Sequence, residues 1–234
     1  MSRVSYADAR RALASAQKAG AGVPAYLRWV NRPLGGRVAV LAAALGGTPN
    51  GVTAISAASG AVGIVVLAAI PQWWSGPVAA ILLLIGYVFD SADGQLARIQ
   101  GRSGPAGEWL DHVVDGIRAP LVHIAVAVHL LLTGAASWLV LVAALSAVVA
   151  SAWFLSQLLA EKLLPKAPRS TDDSRSGILE SILKQPQDPS TAYFILAIIG
   201  LPTAFAILYA GMFVWHLLFF AGSLRRKYVQ LASL

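Results

Sequence analysis

The sequence predicts an all-α, polytopic membrane protein: six transmembrane helices preceded by an N-terminal amphipathic juxtamembrane helix. Of its 234 residues, 57% are hydrophobic and only 12% are charged, and the mean hydropathy is +0.66. Soluble domains usually contain about 45–50% apolar and about 25% charged residues. Six apolar stretches follow one another, and the basic residues concentrate in alternate connections between them. The chain contains no cysteine, which excludes disulfides, thiol catalysis and zinc–thiolate sites.

The N-terminal part, residues 1–47, is predicted to be a cytosolic or interfacial helical segment. Residues 2–19 combine basic residues with many alanines, which is typical of a polar helix outside the membrane. Residues 25–47 mix apolar side chains with Arg28, Arg32 and Arg37, which indicates an amphipathic helix. This helix either faces lipid headgroups or packs on the cytosolic face of the protein, and both alternatives remain open.

Residues 48–228 are predicted to form a six-helix transmembrane catalytic domain with a cytosolic loop at 161–190. Each span needs roughly 20 apolar residues. The predicted spans are 52–70, 77–98, 107–132, 137–159, 191–200 (continuing into 204–209) and 203–224. The last two meet at Gly200–Thr203, where Gly200 and Pro202 favour a tight turn. Within the loop, residues 178–183 are predicted to form a short surface helix.

The distribution of the 18 basic residues predicts the orientation in the membrane. They lie before the first span, between the second and third spans, between the fourth and fifth spans, and after the sixth span. Arg118, which lies inside the third span, is counted with the junction between the second and third spans. The other three connections carry none, and Trp73, Trp74 and Trp138 lie there. Because Lys and Arg concentrate on the cytoplasmic side and Trp at the interfaces, we expect both termini in the cytoplasm. The net charge of +7 is explained by anionic lipids, without nucleic acid.

The polar residues that carry chemistry are concentrated in residues 90–115, DSADGQLARIQGRSGPAGEWLDHVVD. Asp90 and Asp93 share one helix face, and Asp111 and Asp115 share a face of the next helix, because residues three or four apart are neighbours on a helix. A turn at residues 101–105 makes the two helices antiparallel. The four carboxylates are therefore expected to point at one another.

Four carboxylates next to a bilayer are costly unless cations bind them, and an all-oxygen cluster suits Mg²⁺, Mn²⁺ or Ca²⁺ rather than zinc. Two such ions can hold a diphosphate while one carboxylate deprotonates an attacking alcohol. Gly94, Ala97 and Gly107 lie on the same faces. These small residues either leave room for a substrate or allow close helix packing.

These residues resemble the signature of the CDP-alcohol phosphotransferase (CDP-alcohol phosphatidyltransferase) family, D-x2-D-G-x2-A-R-x8-G-x3-D-x3-D. Every fixed position agrees with it. The residues that agree are Asp90, Asp93, Gly94, Ala97, Arg98, Gly107, Asp111 and Asp115. In well-known phosphatidylglycerophosphate and phosphatidylinositol-phosphate synthases an Arg often follows the last Asp, where this chain has Gly116.

The resemblance implies a homodimeric membrane enzyme of phospholipid biosynthesis. Such enzymes move a phosphate-linked group, usually phosphatidyl, from a CDP-activated donor such as CDP-diacylglycerol to an alcohol, and they release CMP. It also implies two Mg²⁺ or Mn²⁺ ions on Asp90, Asp93, Asp111 and Asp115, with Asp115 as the general base. The CDP site would be lined by Gly94, Ala97, Arg98 and Gly107.

A second segment, Thr48–Thr53, is similar to the PNxxT sequence that opens the first span in many relatives. That similarity implies that Asn50 and Thr53 bind the nucleotide, while a helix start is the alternative explanation. Arg118 lies inside an apolar span and is a candidate to bind an acceptor or to balance an aspartate. Arg169 in the cytosolic loop is a second candidate for acceptor binding. The histidines are expected to be packing or interfacial residues.

The donor and acceptor stay open at this stage. Inositol phosphate, glycerol phosphate, an amino alcohol and another lipid are candidate acceptors, and a soluble CDP-alcohol is an alternative donor. A divalent-cation transporter would also carry intramembrane carboxylates, but a single cluster at the cytosolic end offers no path across the membrane. An intramembrane prenyltransferase would carry two separate aspartate-rich motifs, and this chain has one.

Overall fold

The computed structural model describes residues 4–15, 22–165 and 175–234, and the secondary structure in these ranges is entirely helical. The helices there are α1 Tyr6–Ser15, α2 Arg32–Leu45, α3 Pro49–Ala69, α4 Ser75–Ile99, α5 Pro105–Leu132, α6 Ser137–Leu163, α7 Arg175–Leu183, α8 Pro189–Leu196 and α9 Pro202–Ala232. A π-helical turn, Leu27–Asn31, leads directly into α2, and a short 3-10 turn, Gln185–Gln187, precedes α8.

Five helices in the described part of the chain are long and apolar enough to cross a membrane: α3, α4, α5, α6 and α9. They confirm the prediction of an all-α, multi-pass membrane protein. The bounds of the first four agree closely with the predicted spans, whereas α9 continues to Ala232 instead of ending near residue 224.

The predicted fifth span is shorter than expected. Helix α8 has eight residues, or about 12 Å of helix, and 3-10-type hydrogen bonds then continue it to Leu201. The segment lies antiparallel to α4. At its start Asp188 accepts a hydrogen bond from Tyr87 at 3.0 Å, and at its end Gly200 lies against Trp73. The predicted fifth span thus starts inside the protein beside the middle of α4, and α8 is too short to be among the five helices that could cross a membrane.

Close backbone contact holds this short pass against α4. A Cβ atom at Gly76 would lie 2.3 Å from the carbonyl oxygen of Leu196, so only glycine fits there without movement of the backbone. A core of large side chains joins α3, α4, α5, α8 and α9. Its fully buried members include Leu67, Leu83, Val126, Leu196, Phe205 and Tyr209.

The N-terminal helices pack on the other end of α4. Buried residues of α1 and α2 share a small core with α3 and α4; it contains Ala9, Ala39, Val40, Ala43, Val52, Ala92 and Leu96. The same segment exposes Trp29, Leu34 and Leu41 on its other face. Both alternatives for residues 25–47 therefore find support, since one face packs on the protein and the other is apolar and exposed. The division into segments 1–47 and 48–228 stays a prediction.

The connection between α6 and α8 is attached to the N-terminal segment. Arg28 donates to the carbonyl of Gly177 and to the hydroxyl of Ser181, both at 3.2 Å, and the Tyr26 amide donates to the Gln185 side chain at 2.7 Å. Helix α7 confirms the predicted short helix at 178–183. Arg169 lies outside the described residues.

Candidate functional site

Two helices, α4 and α5, position the aspartates, and a tight turn joins them. Gly101 adopts a left-handed conformation with φ of 63°. The Gly101 amide donates to the carbonyl of Arg98 and the Arg102 amide to that of Ala97, which is the Schellman pattern that ends many helices. Pro105 then starts α5, where its missing N–H costs nothing. Because of this turn, α5 runs antiparallel to α4. The end of α4 and the start of α5, which carry the aspartates, therefore lie next to each other.

Three of the four aspartates converge. Asp90, Asp111 and Asp115 each offer a carboxylate oxygen, and these oxygens all lie within 4.8 Å of one another. Like charges this close repel strongly in a partly buried site, and a divalent cation removes the repulsion. The donors are all oxygens, which is the set that Mg²⁺ and Mn²⁺ prefer. The residues therefore fit a divalent metal ion.

Asp93 lies beside this group rather than in it. Its carboxylate is buried and accepts a hydrogen bond from the hydroxyl of Thr53 on α3 at 2.5 Å. The expectation that all four carboxylates point at one another is thus met for three of them. That Asp93 binds metal stays a prediction.

Arg118 supplies the positive charge inside this cluster. Its side chain is 8% exposed, and its Nη2 donates to Asp90 at 2.6 Å and also to Asp115. Its Nη1 donates to the hydroxyl of Ser56 at 3.1 Å, and that hydroxyl donates in turn to the carbonyl of Gly86. Arg118 thus fixes the orientation of two of the three converging carboxylates.

A cavity of about 840 Å³ lies on one side of the aspartates, between the start of α3, the end of α4 and the start of α5; we call it the large cavity. Asp93 and Asp111 line it. All six residues that the family resemblance assigned to the nucleotide line it as well: Asn50, Thr53, Gly94, Ala97, Arg98 and Gly107.

The alternative explanations for two of these positions can now be compared. A Cβ atom at Gly107 would have no neighbour within 4 Å, so close packing does not require glycine there. At the start of α3, the Thr48 hydroxyl accepts from the Gly51 amide, so helix capping explains Thr48. Thr53 instead contacts Asp93, and Asn50 faces the cavity.

A second cavity, of about 240 Å³, lies on the other side of the cluster between α5, α6, α8 and α9; we call it the small cavity. Asp115, Arg118 and Asp188 all line it. Its other described polar and aromatic lining residues are Tyr87, His123, Trp153, Phe154, Gln157, Gln187, Tyr193 and His216. The aspartate cluster therefore separates two cavities, with Asp111 facing one and Asp115 the other.

Sequence analysis missed several residues of the small cavity. Asp188 precedes a proline, a pattern that predicts only a helix cap, and Trp153 and Tyr193 lie in apolar spans without any motif. His123 bonds with the hydroxyl of Tyr209 at 2.6 Å, and His216 bonds with the carbonyl of Pro186 at 2.6 Å. Both histidines line the cavity, whereas the sequence indicated packing or interfacial residues.

Comparison with known proteins gives two matches. The model of the CDP-alcohol phosphatidyltransferase family matches residues 47–221, which is most of the chain. The archaetidylinositol phosphate synthase of Aeropyrum pernix is 41% identical over 58 residues, which cover 24% of this chain and 30% of that protein. The match thus spans about a third of the length of the curated relative.

Proposed function

The chain belongs to the CDP-alcohol phosphatidyltransferase family, and on that premise we propose that it transfers a phosphatidyl group from CDP-diacylglycerol to an alcohol and releases CMP. The family implies a CDP-alcohol donor, an alcohol acceptor and divalent metal ions. The product class is a phospholipid. A soluble CDP-alcohol is the alternative donor, and inositol phosphate and glycerol phosphate are acceptors to be tested first.

One observation carries this proposal: two cavities meet at the aspartate cluster. The large cavity carries Asp93, Asp111, Arg98 and the small residues, so it suits a cytidine nucleotide with its diphosphate. The small cavity reaches Asp115 from the opposite side. A donor phosphate and an acceptor hydroxyl that approach from the two cavities meet between Asp111 and Asp115, as a direct displacement requires.

In the proposed reaction the acceptor oxygen attacks the phosphorus that carries the diacylglycerol. A new P–O bond forms to the acceptor, and the P–O bond to CMP breaks, with its electron pair leaving on CMP. Asp115 takes the proton of the attacking hydroxyl. Arg118 holds the Asp115 carboxylate in place, and Thr53 does the same for Asp93.

We propose that two Mg²⁺ or Mn²⁺ ions bind at Asp90, Asp93, Asp111 and Asp115. When bound, such ions neutralise the charge of the diphosphate and of the leaving CMP. The three converging carboxylates support this assignment, and no thiolate exists in the chain that would favour zinc.

The proposed location is the cell membrane, with the active site and both termini on the cytoplasmic side. The basic residues in alternate connections support this orientation. We also propose a homodimer, which the resemblance to family members supports.

The proposed function is tested by CMP release from purified protein in detergent. The protein is supplied with CDP-diacylglycerol, Mg²⁺ or Mn²⁺, and a panel of phosphorylated, neutral and amino alcohols. We expect CMP release that requires both an acceptor and a divalent ion and that stops on chelation. Absence of metal-dependent CDP binding would contradict the proposal. CDP binding without CMP release would point to a soluble CDP-alcohol donor.

Replacing Thr53 by Val is expected to weaken CDP binding about tenfold. The substitution keeps the shape of the side chain but removes the hydroxyl that donates to the buried Asp93, and a buried acceptor left without its donor costs about 1–3 kcal/mol. Titration of CDP in the presence of Mg²⁺ measures the effect. Thr133→Val is the matched control, because Thr133 ends α5 at the far side of the membrane and bonds only with the same helix there. Equal CDP affinities in both variants would remove Thr53 from the nucleotide site.

A further inference from the structure

We propose that the small cavity binds a positively charged acceptor, a short amino alcohol, whose ammonium group pairs with Asp188. This inference rests on the proposed function and specifies its acceptor. The described part of the fold places no basic side chain against the carboxylate of Asp188.

Asp188 is one of the most deeply buried charged residues described, with 2% of its surface exposed. One oxygen accepts from the hydroxyl of Tyr87 at 3.0 Å, and the other accepts from the Ser190 amide at 2.9 Å. Across residues 4–15, 22–165 and 175–234, no basic side chain forms an ion pair with it. A buried carboxylate without a counter-charge is unfavourable, and either a proton or a bound cation removes that cost.

Helix capping explains the hydrogen bonds of Asp188 but not its charge. Asp188 precedes α8, and its side chain caps the Ser190 amide. Asn and Ser cap helices about as well as Asp, and neither would bury a negative charge at this position. A second role that uses the charge therefore accounts for the aspartate better than capping alone.

The charges of the described residues around the small cavity favour a cationic ligand group over an anionic one. Among the described residues that line it, Arg118 is the only Lys or Arg, and this guanidinium already pairs with Asp90 and Asp115. A phosphate in the cavity would face Asp115 and Asp188 without a cation of its own. An ammonium group would instead meet the carboxylate of Asp188.

The walls of the cavity favour a cation as well. Tyr87, Trp153, Phe154 and Tyr193 all line it, and aromatic faces attract ammonium groups, most strongly where water is excluded. Asp188 and Asp115 line the same cavity of about 240 Å³, which limits the acceptor to a small molecule. A short amino alcohol satisfies both groups, since its ammonium pairs with Asp188 while its hydroxyl reaches Asp115.

The test is a series of two-carbon acceptors that differ in charge: ethanolamine, ethylene glycol and 2-hydroxyethyl phosphate. CMP release is measured for the native protein and for Asp188→Asn, which keeps the cap and the size of the side chain. We expect the native protein to prefer ethanolamine over ethylene glycol at least tenfold in kcat/KM. In Asp188→Asn this preference should disappear through a higher KM for ethanolamine, with an unchanged Kd for CDP.

Asp8→Asn is the matched control, because Asp8 is an exposed carboxylate in the first turn of α1 and lines neither cavity. It should keep the native preference. A preference for 2-hydroxyethyl phosphate or ethylene glycol, or an ethanolamine preference that survives in Asp188→Asn, would overturn the inference.

Direct binding separates this inference from the proposed function. Ethanolamine is titrated into each protein with bound CDP and Mg²⁺ and followed by NMR, without any turnover. Binding that weakens at least tenfold in Asp188→Asn supports the ammonium site even if CMP release fails. Absence of such a difference, while CDP still binds, overturns the ammonium site and leaves the proposed function intact.

Discussion

Replacing Asp115 by Asn should lower the rate of CMP release about a thousandfold while CDP still binds. Proton transfer by a positioned side chain contributes about 10²–10⁴-fold to catalysis, and Asn cannot accept the proton of the acceptor hydroxyl. Asn retains an oxygen that can accept the hydrogen bond of Arg118, so the arrangement of the cluster should survive. Asp115 lines the small cavity and not the large one, which is why the loss should appear in kcat rather than in the KM for the donor.

Two measurements separate this role from a structural one. The Kd for CDP with Mg²⁺ should change less than threefold, and the Tm in detergent should stay near that of the native protein. Asp8→Asn serves as the control for the same chemical change at an exposed carboxylate. A variant with nearly native kcat would exclude Asp115 as the base. A variant that has lost CDP binding would assign it to the donor site instead.

The parts of the fold that depend on local sequence were predictable. The apolar length of α3 to α6 and the prolines at the starts of α3 and α5 are local properties, and they define the helix ends. The predicted fifth span depends instead on what it packs against. Asp188, which precedes α8, bonds with Tyr87 in the middle of α4, so the segment starts inside the protein. No count of apolar residues reveals such a starting point.

The part of the site that lies within the single motif at residues 90–115 was predictable from the sequence. Helical spacing alone brings Asp111 and Asp115 to one face, and the turn at Gly101 brings them to Asp90. Partners from distant parts of the chain were not predictable, because no periodicity links them to the motif. Thr53 engages Asp93 from α3, and Ser56 holds Arg118. The candidate acceptor group, Asp188, lies more than seventy residues after Asp115.

Replacing Arg118 by Met should lower the free energy of unfolding by about 2–3 kcal/mol, below the cost for a fully buried pair, because it leaves the partly buried carboxylates of Asp90 and Asp115 without their counter-charge. CMP release should fall at least a hundredfold, since both carboxylates lose the group that orients them. Mg²⁺ should raise the Tm of the variant more than that of the native protein, because a bound cation replaces the missing charge. The stability and the rate of CMP release of Arg118→Lys should lie between those of the native protein and those of Arg118→Met. Lys keeps the positive charge but lacks the planar guanidinium group that bonds with three side chains.

The control for this prediction is already present in the chain. Arg11 pairs with Asp8 three residues away, as Arg118 pairs with Asp115, but the side chains of Arg11 and Asp8 are 79% and 55% exposed. A surface pair contributes about 0–1 kcal/mol, so Arg11→Met should hardly change the Tm. The two pairs have the same spacing, but Arg118 is buried and also bonds with Asp90 and Ser56, so the difference between the variants measures the combined effect of burial and of these additional partners. Equally small decreases in Tm for Arg11→Met and Arg118→Met would mean that water reaches Arg118 freely. The aspartate cluster would then not need Arg118 as its counter-charge.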